Sequence, residues 1–226
     1  MFRIILVGLI SVGIAGAHDP ASAQEELELR VIPRFGLLAP DAQFYDRFKN
    51  FSGDGYIEWT SGALGRAALV GLGVEAEIGN FGILFRGEVA RSFEGWLSAG
   101  HGILIPRVFF EPPQVVNTWF DVPVNMTFGS LQIILPTRLE YRGIQPYILA
   151  GYAGKWYSFG EPTRPNEVEA ILPGNGFTHS LELGGGLTFA LFGLTFDAQL
   201  KDSINKYWEK TQNDLVLSGG LIWSIR

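Results

Sequence analysis

The stretch Gly193-Leu194-Thr195-Phe196-Asp197-Ala198-Gln199-Leu200-Lys201 has the clearest pattern in the chain. Every second residue from Leu194 to Leu200 is apolar, and the residues between them are polar or charged. Because successive side chains of a β-strand point to opposite faces, this pattern predicts a strand with one apolar and one charged face. Such a strand fits the wall of a membrane barrel, with its apolar face toward lipid, or a soluble barrel, with that face inside.

The same alternation recurs along the chain and predicts eight strands. They are expected at 27–38, 66–78, 82–93, 131–142, 145–157, 180–190, 193–201 and 214–225. At about 9 to 14 residues each, they suit a tilted crossing of a bilayer. The connections alternate strictly between short and long, which is typical of bacterial barrels with tight periplasmic turns and long outer loops. This alternation places both termini in the periplasm.

The long connection at 94–130 leaves two hypotheses open. It contains two apolar runs, Ile103-Leu104-Ile105 and Val122 to Phe128. They form either a hairpin extension above the membrane, which keeps eight strands, or two further membrane strands, which makes ten.

Composition favours the membrane barrel over the soluble one. The 226 residues include 29 glycines, 13% aromatic residues and no cysteine, and the net charge is −6. The absence of cysteine excludes disulfide frameworks and thiolate zinc sites, and an acidic chain without a basic run is unlike a nucleic-acid-binding protein. Mean hydropathy is high at +0.17, yet no apolar stretch after residue 20 approaches the roughly 20 residues of a spanning helix.

The N-terminus has the three parts of a secretory signal peptide. Met1-Phe2-Arg3 is a short basic start, Ile4 to Ala15 is an apolar run, and Ala21-Ser22-Ala23 is a small-residue motif. This layout predicts a signal peptide at 1–23, cleaved after Ala23, followed by a single barrel domain at 24–226. The alternative is a buried N-terminal helix.

The predicted inward faces carry many ionisable side chains. An eight-stranded barrel has an interior that side chains fill, and charges placed there must pair. We therefore expect an ion-pair network that closes the lumen, whereas a polar channel and a catalytic carboxylate pair are the alternatives. The expected members are Glu28, Arg30, Arg34, Glu75, Glu77, Arg86, Glu88, Arg138, Glu140, Arg142, Glu182, Asp197 and Lys201.

No catalytic, cofactor-binding or metal-binding residues are predicted. His179-Ser180 is the one adjacency that could suggest a base and a nucleophile. Neighbouring residues of a strand point to opposite faces, however, so these two side chains should not meet. Asp41, Asp46 and Asp54 are spread over a loop without the spacing of a metal-binding motif.

The signal peptide, the eight alternating strands, the stretch Gln145-Pro146-Tyr147-Ile148-Leu149-Ala150-Gly151 and the closing strand from Asn213 to Ile225 resemble the small outer-membrane β-barrel family, the OmpA/OmpX-like group. The resemblance covers essentially the whole mature chain. It implies an all-β fold, an eight-stranded antiparallel up-and-down transmembrane barrel in the outer membrane. Members of the family usually end in an aromatic residue that the assembly machinery recognises, a role that Trp223 would fill here.

For function, the sequence predicts a closed barrel with an envelope-structural or surface-interaction role through its outer loops. The expected partners are outer-membrane lipid, lipopolysaccharide and the barrel-assembly machinery, without nucleic acid or cofactor, and the barrel is expected to be a monomer and not an enzyme. Two alternatives stay open. They are a lipid-modifying enzyme similar to lipid A deacylases, and passage of ions or small molecules through the barrel.

Overall fold

A computed structural model describes residues 28–40, 45–51, 56–77, 82–105, 114–161, 174–207 and 210–225. The predicted signal peptide at 1–23 lies outside the described residues, as do Asp41 and Asp54. Within the described residues, no helix has the length and apolar character needed to cross a membrane.

Eleven antiparallel strands make up the described fold. They are β1 (Leu29–Pro40), β2 (Tyr45–Phe51), β3 (Tyr56–Leu64), β4 (Ala67–Glu77), β5 (Leu84–Phe93), β6 (Gly95–Ile105), β7 (Gln114–Pro136), β8 (Ile144–Phe159), β9 (Gly176–Leu191), β10 (Leu194–Tyr207) and β11 (Lys210–Ile225).

Eight of these strands close into a barrel in the order β1-β4-β5-β7-β8-β9-β10-β11. Two pairings complete the ring. β11 returns to β1, where Leu29 pairs with Ile225 and Pro40 with Asp214. β7 pairs with β8 from Val124–Phe159 to Pro136–Tyr147. The predicted eight-stranded antiparallel barrel is therefore confirmed.

The remaining strands form a sheet that extends one end of the barrel. β2, β3, β6 and the first half of β7 pair in that order, and we call this four-stranded unit the extension sheet. It stands at the end of the barrel that we call the extension end. The opposite end, where the short connections such as 192–193 lie, is called the turn end. The apolar runs at 103–105 and 122–128 thus belong to a hairpin extension and to one wall strand, and the ten-strand hypothesis is wrong.

The extension sheet continues the barrel wall with only small interruptions. β3 and β4 share one register against β6 and β5, in which Leu64 pairs with Leu97 and Ala68 with Phe93. The break between β5 and β6 is Glu94, whose φ of 57° lies in the left-handed region. Because this extra residue shifts the pairing with β7 by one, it acts as a bulge that redirects the sheet.

The two faces of the barrel wall decide between the membrane and the soluble alternatives. Side chains on the outward face are apolar and exposed, whereas the inward face carries the buried charges. A soluble barrel needs the opposite arrangement, so the wall is that of a transmembrane barrel. Outward residues include Phe35, Leu37, Leu72, Val89, Leu131, Ile133, Ile148, Leu181, Leu183, Leu187, Leu200, Leu215 and Leu217.

One predicted strand, 131–142, is displaced in the structure. β7 begins far earlier and ends at Pro136, and residues 137–143 form a turn. Pro136 pairs with Tyr147, but the next pairing joins Tyr141 to Ile144, so two extra residues bulge out between them. The apparent alternation of Leu135, Leu139 and Tyr141 therefore crosses from a strand into a turn.

Candidate functional site

The centre of the lumen is organised around the carboxylate of Asp197, on β10. Arg34 Nη2 from β1 donates a short hydrogen bond to Asp197 Oδ2. Arg86 Nη2 from β5 donates to Asp197 Oδ1 at 3.2 Å, and Tyr147 Oη donates to the same oxygen at 2.8 Å. All four side chains are buried. The carboxylate thus holds two guanidinium groups, one from β1, which is two strands away, and one from β5, which lies across the barrel.

Arg86 extends this centre toward neighbouring strands. Its Nε and Nη2 both donate to Glu75 Oε2, at 3.0 and 2.6 Å, and its Nη1 donates to Gln199 Oε1 at 2.8 Å. Arg34 Nη1 donates to Ser218 Oγ at 3.0 Å. Each guanidinium therefore bridges several strands, with charge-assisted hydrogen bonds of the stronger kind.

A second cluster surrounds Lys201, nearer the extension end. Lys201 Nζ lies 2.9 Å from Glu182 Oε1 and 3.5 Å from Glu88 Oε1. The Gln132 side-chain amide donates to Glu182 Oε2 at 2.9 Å and to Ser130 Oγ at 3.1 Å. Glu88 also lies 3.7 Å from Arg34 Nε, which joins this cluster to the central one.

A third cluster contains two charged residues that were not among the lumen residues predicted from the sequence, Lys155 and Asp214. Lys155 Nζ lies 2.5 Å from Asp214 Oδ2, and Asn205 Nδ2 donates to the same oxygen at 3.1 Å. In the sequence, both residues occupy inward positions of the alternating strand pattern. Lys155 lies on the face of Tyr147, and Asp214 lies opposite the apolar face of Leu215.

At the turn end of the lumen, the partly exposed Arg30 pairs with two carboxylates. Arg30 Nη1 donates to Glu75 Oε1 at 3.3 Å, and Arg30 Nη2 donates to Glu28 Oε2 at 3.2 Å. Ser224 Oγ donates to the other oxygen of Glu28 at 2.9 Å. This rim links β1, β4 and β11.

Among the described residues, the charges in these clusters are nearly balanced. Five cations pair with five carboxylates, and Glu28 adds one more carboxylate at the rim. A carboxylate or guanidinium without a partner costs several kcal/mol in such an interior. The arrangement therefore acts as a cross-strand clamp. The cations are Arg30, Arg34, Arg86, Lys155 and Lys201, and their carboxylates are Glu75, Glu88, Glu182, Asp197 and Asp214.

Three of the residues predicted for the lumen lie outside it, and a fourth lies at its turn-end edge. Arg138, Glu140 and Arg142 are exposed in the turn at 137–143, so the prediction that they line the lumen is wrong. Glu77 is half-buried at the last position of β4. The error follows from the displaced strand, because the bulge after Pro136 ends the regular alternation.

Glycines on the inward face create the space that the large side chains fill. A Cβ added to Gly73 would lie 3.6 Å from Arg34 Nε and 3.7 Å from Arg86 Cδ, so both arginines pack over this glycine. At Gly186 the ring of Tyr147 occupies the position of a side chain, and a Cβ there would overlap it. Small residues thus place the arginines and Tyr147 next to Asp197.

The extension end of the lumen is filled by apolar side chains on the β1, β4, β5 and β7 side. Leu38, Leu69, Val124 and Met126 belong to one buried cluster, which continues into the extension sheet through Leu97, Ala99, Phe120 and Val122. On this side of the barrel, ion pairs thus lie toward the turn end and the middle of the interior, and this apolar cluster lies toward the extension end.

The side chains of His179 and Ser180 lie on opposite sides of the barrel wall. Ser180 is buried and accepts a hydrogen bond from Ser203 Oγ at 3.1 Å, whereas His179 is exposed on the outside. There a hydrogen bond joins His179 Nδ1 to Tyr152 Oη, and the Phe177 ring packs edge-on at 4.7 Å. His179 and Ser180 therefore cannot act together as base and nucleophile.

Over the described part of the chain, no group of three or more histidine, aspartate and glutamate side chains is arranged as metal ligands. The lumen carboxylates are instead each paired with a cation.

No protein-family model matches the chain, and no curated protein matches it in sequence. Among solved structures, the chain is similar to the Neisserial surface protein A, with 12% identity, a TM-score of 0.49, and coverage of 86% of this chain and 95% of that one. It is similar to Ail, the attachment invasion locus protein of Yersinia pestis, in complex with the heparin analogue sucrose octasulfate, with 18% identity, a TM-score of 0.42, and coverage of 88% and 99%.

The outer membrane protein OprG from Pseudomonas aeruginosa is also similar, with 11% identity, a TM-score of 0.42, and coverage of 88% and 94%. The fold assignment rests on the strand pairing and on the outward apolar face. On those two observations, the chain is a closed eight-stranded transmembrane β-barrel, similar in architecture to small outer-membrane barrels.

Proposed function

We propose that this protein is a closed, monomeric barrel of the outer membrane that anchors the extension sheet at the cell surface, where the sheet makes interactions. The observation that carries the proposal is the set of buried ion pairs that join strands across the interior. Since Asp197, Arg34 and Arg86 clamp the wall from inside, the interior serves stability and leaves the outer surfaces for function.

The orientation follows from the connections. Bacterial barrels have tight turns on the periplasmic side and long connections outside, so the extension end faces outward. The proposal includes export of the chain with a signal peptide cleaved near Ala23 and insertion by the barrel-assembly machinery. The inserted barrel is surrounded by outer-membrane lipid and lipopolysaccharide.

The extension sheet carries a surface suited to binding. Trp96 and Trp119 are more than half exposed, although they lie beyond the wall strands that face lipid. The Trp119 ring packs over Gly100, across from it in the β6–β7 pair, which holds the ring flat on the sheet. Exposed tryptophans are enriched among residues that dominate binding energy.

The proposal is tested by surface labelling in cells that express the chain. The protein has no cysteine, so single variants report single sites. Ser98→Cys, exposed on β6, should react with a membrane-impermeant maleimide on intact cells. Glu140→Cys, exposed in the turn at 137–143, should react only after the envelope is permeabilised. The reverse pattern would invert the orientation and remove the surface role.

A further inference from the structure

Two neighbouring turns at the turn end have an unusual backbone for their residues. In Arg142–Gly143 and in Phe192–Gly193 both residues have positive φ, at 52° and 76° in the first turn and 53° and 77° in the second. Such two-residue hairpin turns favour Asn or Asp before the glycine, and a bulky residue at positive φ is an outlier. Strain of this kind persists where the side chain has a use.

The side chains on these turns are strongly apolar and exposed. Phe192 is 94% exposed, Leu139 is 74% exposed and Tyr141 is 67% exposed. β8 pairs with β9 down to Ile144 and Phe189, next to both turns, so the turns lie side by side. Together they form one patch, which we call the turn patch: Leu139, Tyr141 and Phe192 with Arg138 and Arg142.

The position of the bilayer places the turn patch at its surface. At the turn end, the outward apolar residues continue to the last strand positions, including Leu135, Ile144, Leu191, Leu194, Trp223 and Ile225. At the extension end, outward positions on β8, β10 and β11 become polar before the strands end, at Ser158, Lys206, Thr211 and Asn213, whereas β5 has Arg91 followed by the exposed Phe93. The hydrocarbon band therefore reaches down to the turns, and the turn tips lie at headgroup level.

The positive charges of the turn patch indicate which lipid group it binds at the membrane surface. Arg138 and Arg142 have no carboxylate within ion-pair distance among the described residues, although Glu140 lies on the same turn. The Arg142 guanidinium lies over the Tyr141 ring, 5.0 Å from its centroid. An arginine next to an aromatic ring at a membrane surface presents its donors to phosphate while the ring sits at the boundary of the acyl chains.

We propose that the turn patch is a binding site for anionic phospholipid headgroups in the leaflet at the turn end. Phe192, Tyr141 and Leu139 insert at the headgroup boundary, and Arg138 and Arg142 pair with lipid phosphate. This role explains the retained Phe at position 192, because Asn would relieve the backbone but remove the inserted ring. The inference concerns the opposite end of the barrel from the proposed surface role and stands independently of it.

Insertion is tested with nitroxide labels on single cysteines in the purified full-length barrel, reconstituted in phosphatidylcholine vesicles. A label on Phe192→Cys should collide more with oxygen, which concentrates in lipid, than with a water-soluble nickel complex. A label on Ser98→Cys is the matched control and should show the reverse. Equal access of the nickel complex to both labels would overturn the proposal, whereas the orientation in cells would be unaffected.

Headgroup selection is tested by titrating phosphatidylglycerol into the barrel in zwitterionic micelles. A basic residue near an anionic membrane surface contributes about fivefold in affinity, so the double variant Arg138→Gln/Arg142→Gln should bind roughly 30-fold more weakly. Arg91→Gln, an exposed cation on the outward face near the extension end, is the control and should bind as the wild type does. Unchanged binding in the double variant would overturn the proposal.

Discussion

At the scale of single residues, the Asp197 carboxylate ties β10 to three other strands inside the barrel. Three donors from three other strands converge on its two oxygens, namely Arg34, Arg86 and Tyr147. Removing the carboxylate leaves two buried guanidinium groups short of a partner, and breaking a buried pair in this way costs about 3–5 kcal/mol.

We therefore expect Asp197→Ala to lower the free energy of unfolding by about 3–5 kcal/mol, measured by urea titration of the folded barrel in lipid. Glu140→Ala, an exposed carboxylate in the turn, is the control and should change that free energy by less than about 0.5 kcal/mol. If the two variants proved equally stable, the lumen network would not clamp the wall.

A second expectation at this scale concerns the inward glycines. Gly186→Ala places a methyl group against the Tyr147 ring and the neighbouring backbone of β10, so Tyr147 must move away from Asp197. Overpacking of this kind costs about 1–3 kcal/mol. At Gly73, the same substitution meets only ordinary contacts at 3.6–3.7 Å. Thermal unfolding should therefore show a clear loss for Gly186→Ala and little change for Gly73→Ala, and the opposite order would contradict the packing described.

At the scale of elements, alternation in the sequence was a good guide to faces and a poorer guide to ends. β10 was predicted to stop at 201 but continues to Tyr207, because it stays paired with β9 as far as Asn205 and with β11 as far as Tyr207. β7 was misplaced because its second half carries few charges, and the apolar alternation after Pro136 belongs to a turn. A strand ends where its pairing with neighbouring strands ends, and the pattern of a single sequence does not show which residues pair.

The same reasoning explains which lumen residues were found. Arg34, Glu88 and Asp197 alternate with apolar neighbours and could be assigned to the inward face from sequence. Lys155 lies in a glycine-rich strand where the alternation is diluted, so the sequence indicates its face only weakly and the β8–β9 register establishes it.

The assignment of faces leads to a prediction for β9. Leu187 is 43% exposed on the outward face, near the turn-end half of the wall. A cation on the lipid face costs about 2–4 kcal/mol at the midplane and about 0–1 kcal/mol near the interface. Leu187→Arg should therefore block assembly. The measurement is gel electrophoresis of unheated samples, in which the band of the folded barrel should be lost. Ser158→Arg, outward on β8 near the extension end, should still assemble. A Leu187→Arg variant that assembled like the wild type would show that the faces had been assigned the wrong way round.

At the scale of the whole molecule, the proposed closed barrel and a channel differ in what occupies the lumen. The Arg30 rim and the three charged clusters follow one another along the axis, from Arg30 at the turn end to Lys155 near the extension end, beside the apolar cluster around Met126. A polar channel needs continuous water between these groups, and the ion pairs leave their oxygens and nitrogens facing each other instead.

The purified wild-type barrel should therefore give no stable, large conductance steps in a planar lipid bilayer at neutral pH. Arg86→Ala deletes the group that joins Glu75, Gln199 and Asp197, and it is expected to lower the unfolding temperature before it produces any pore, since it leaves buried carboxylates short of a cation. Arg91→Ala, on the outward face, is the control and should match the wild type in both measurements. Because a channel lined by these same residues would conduct without unfolding, reproducible ion-selective openings of the wild-type monomer would replace the closed barrel with the passage of ions or small molecules.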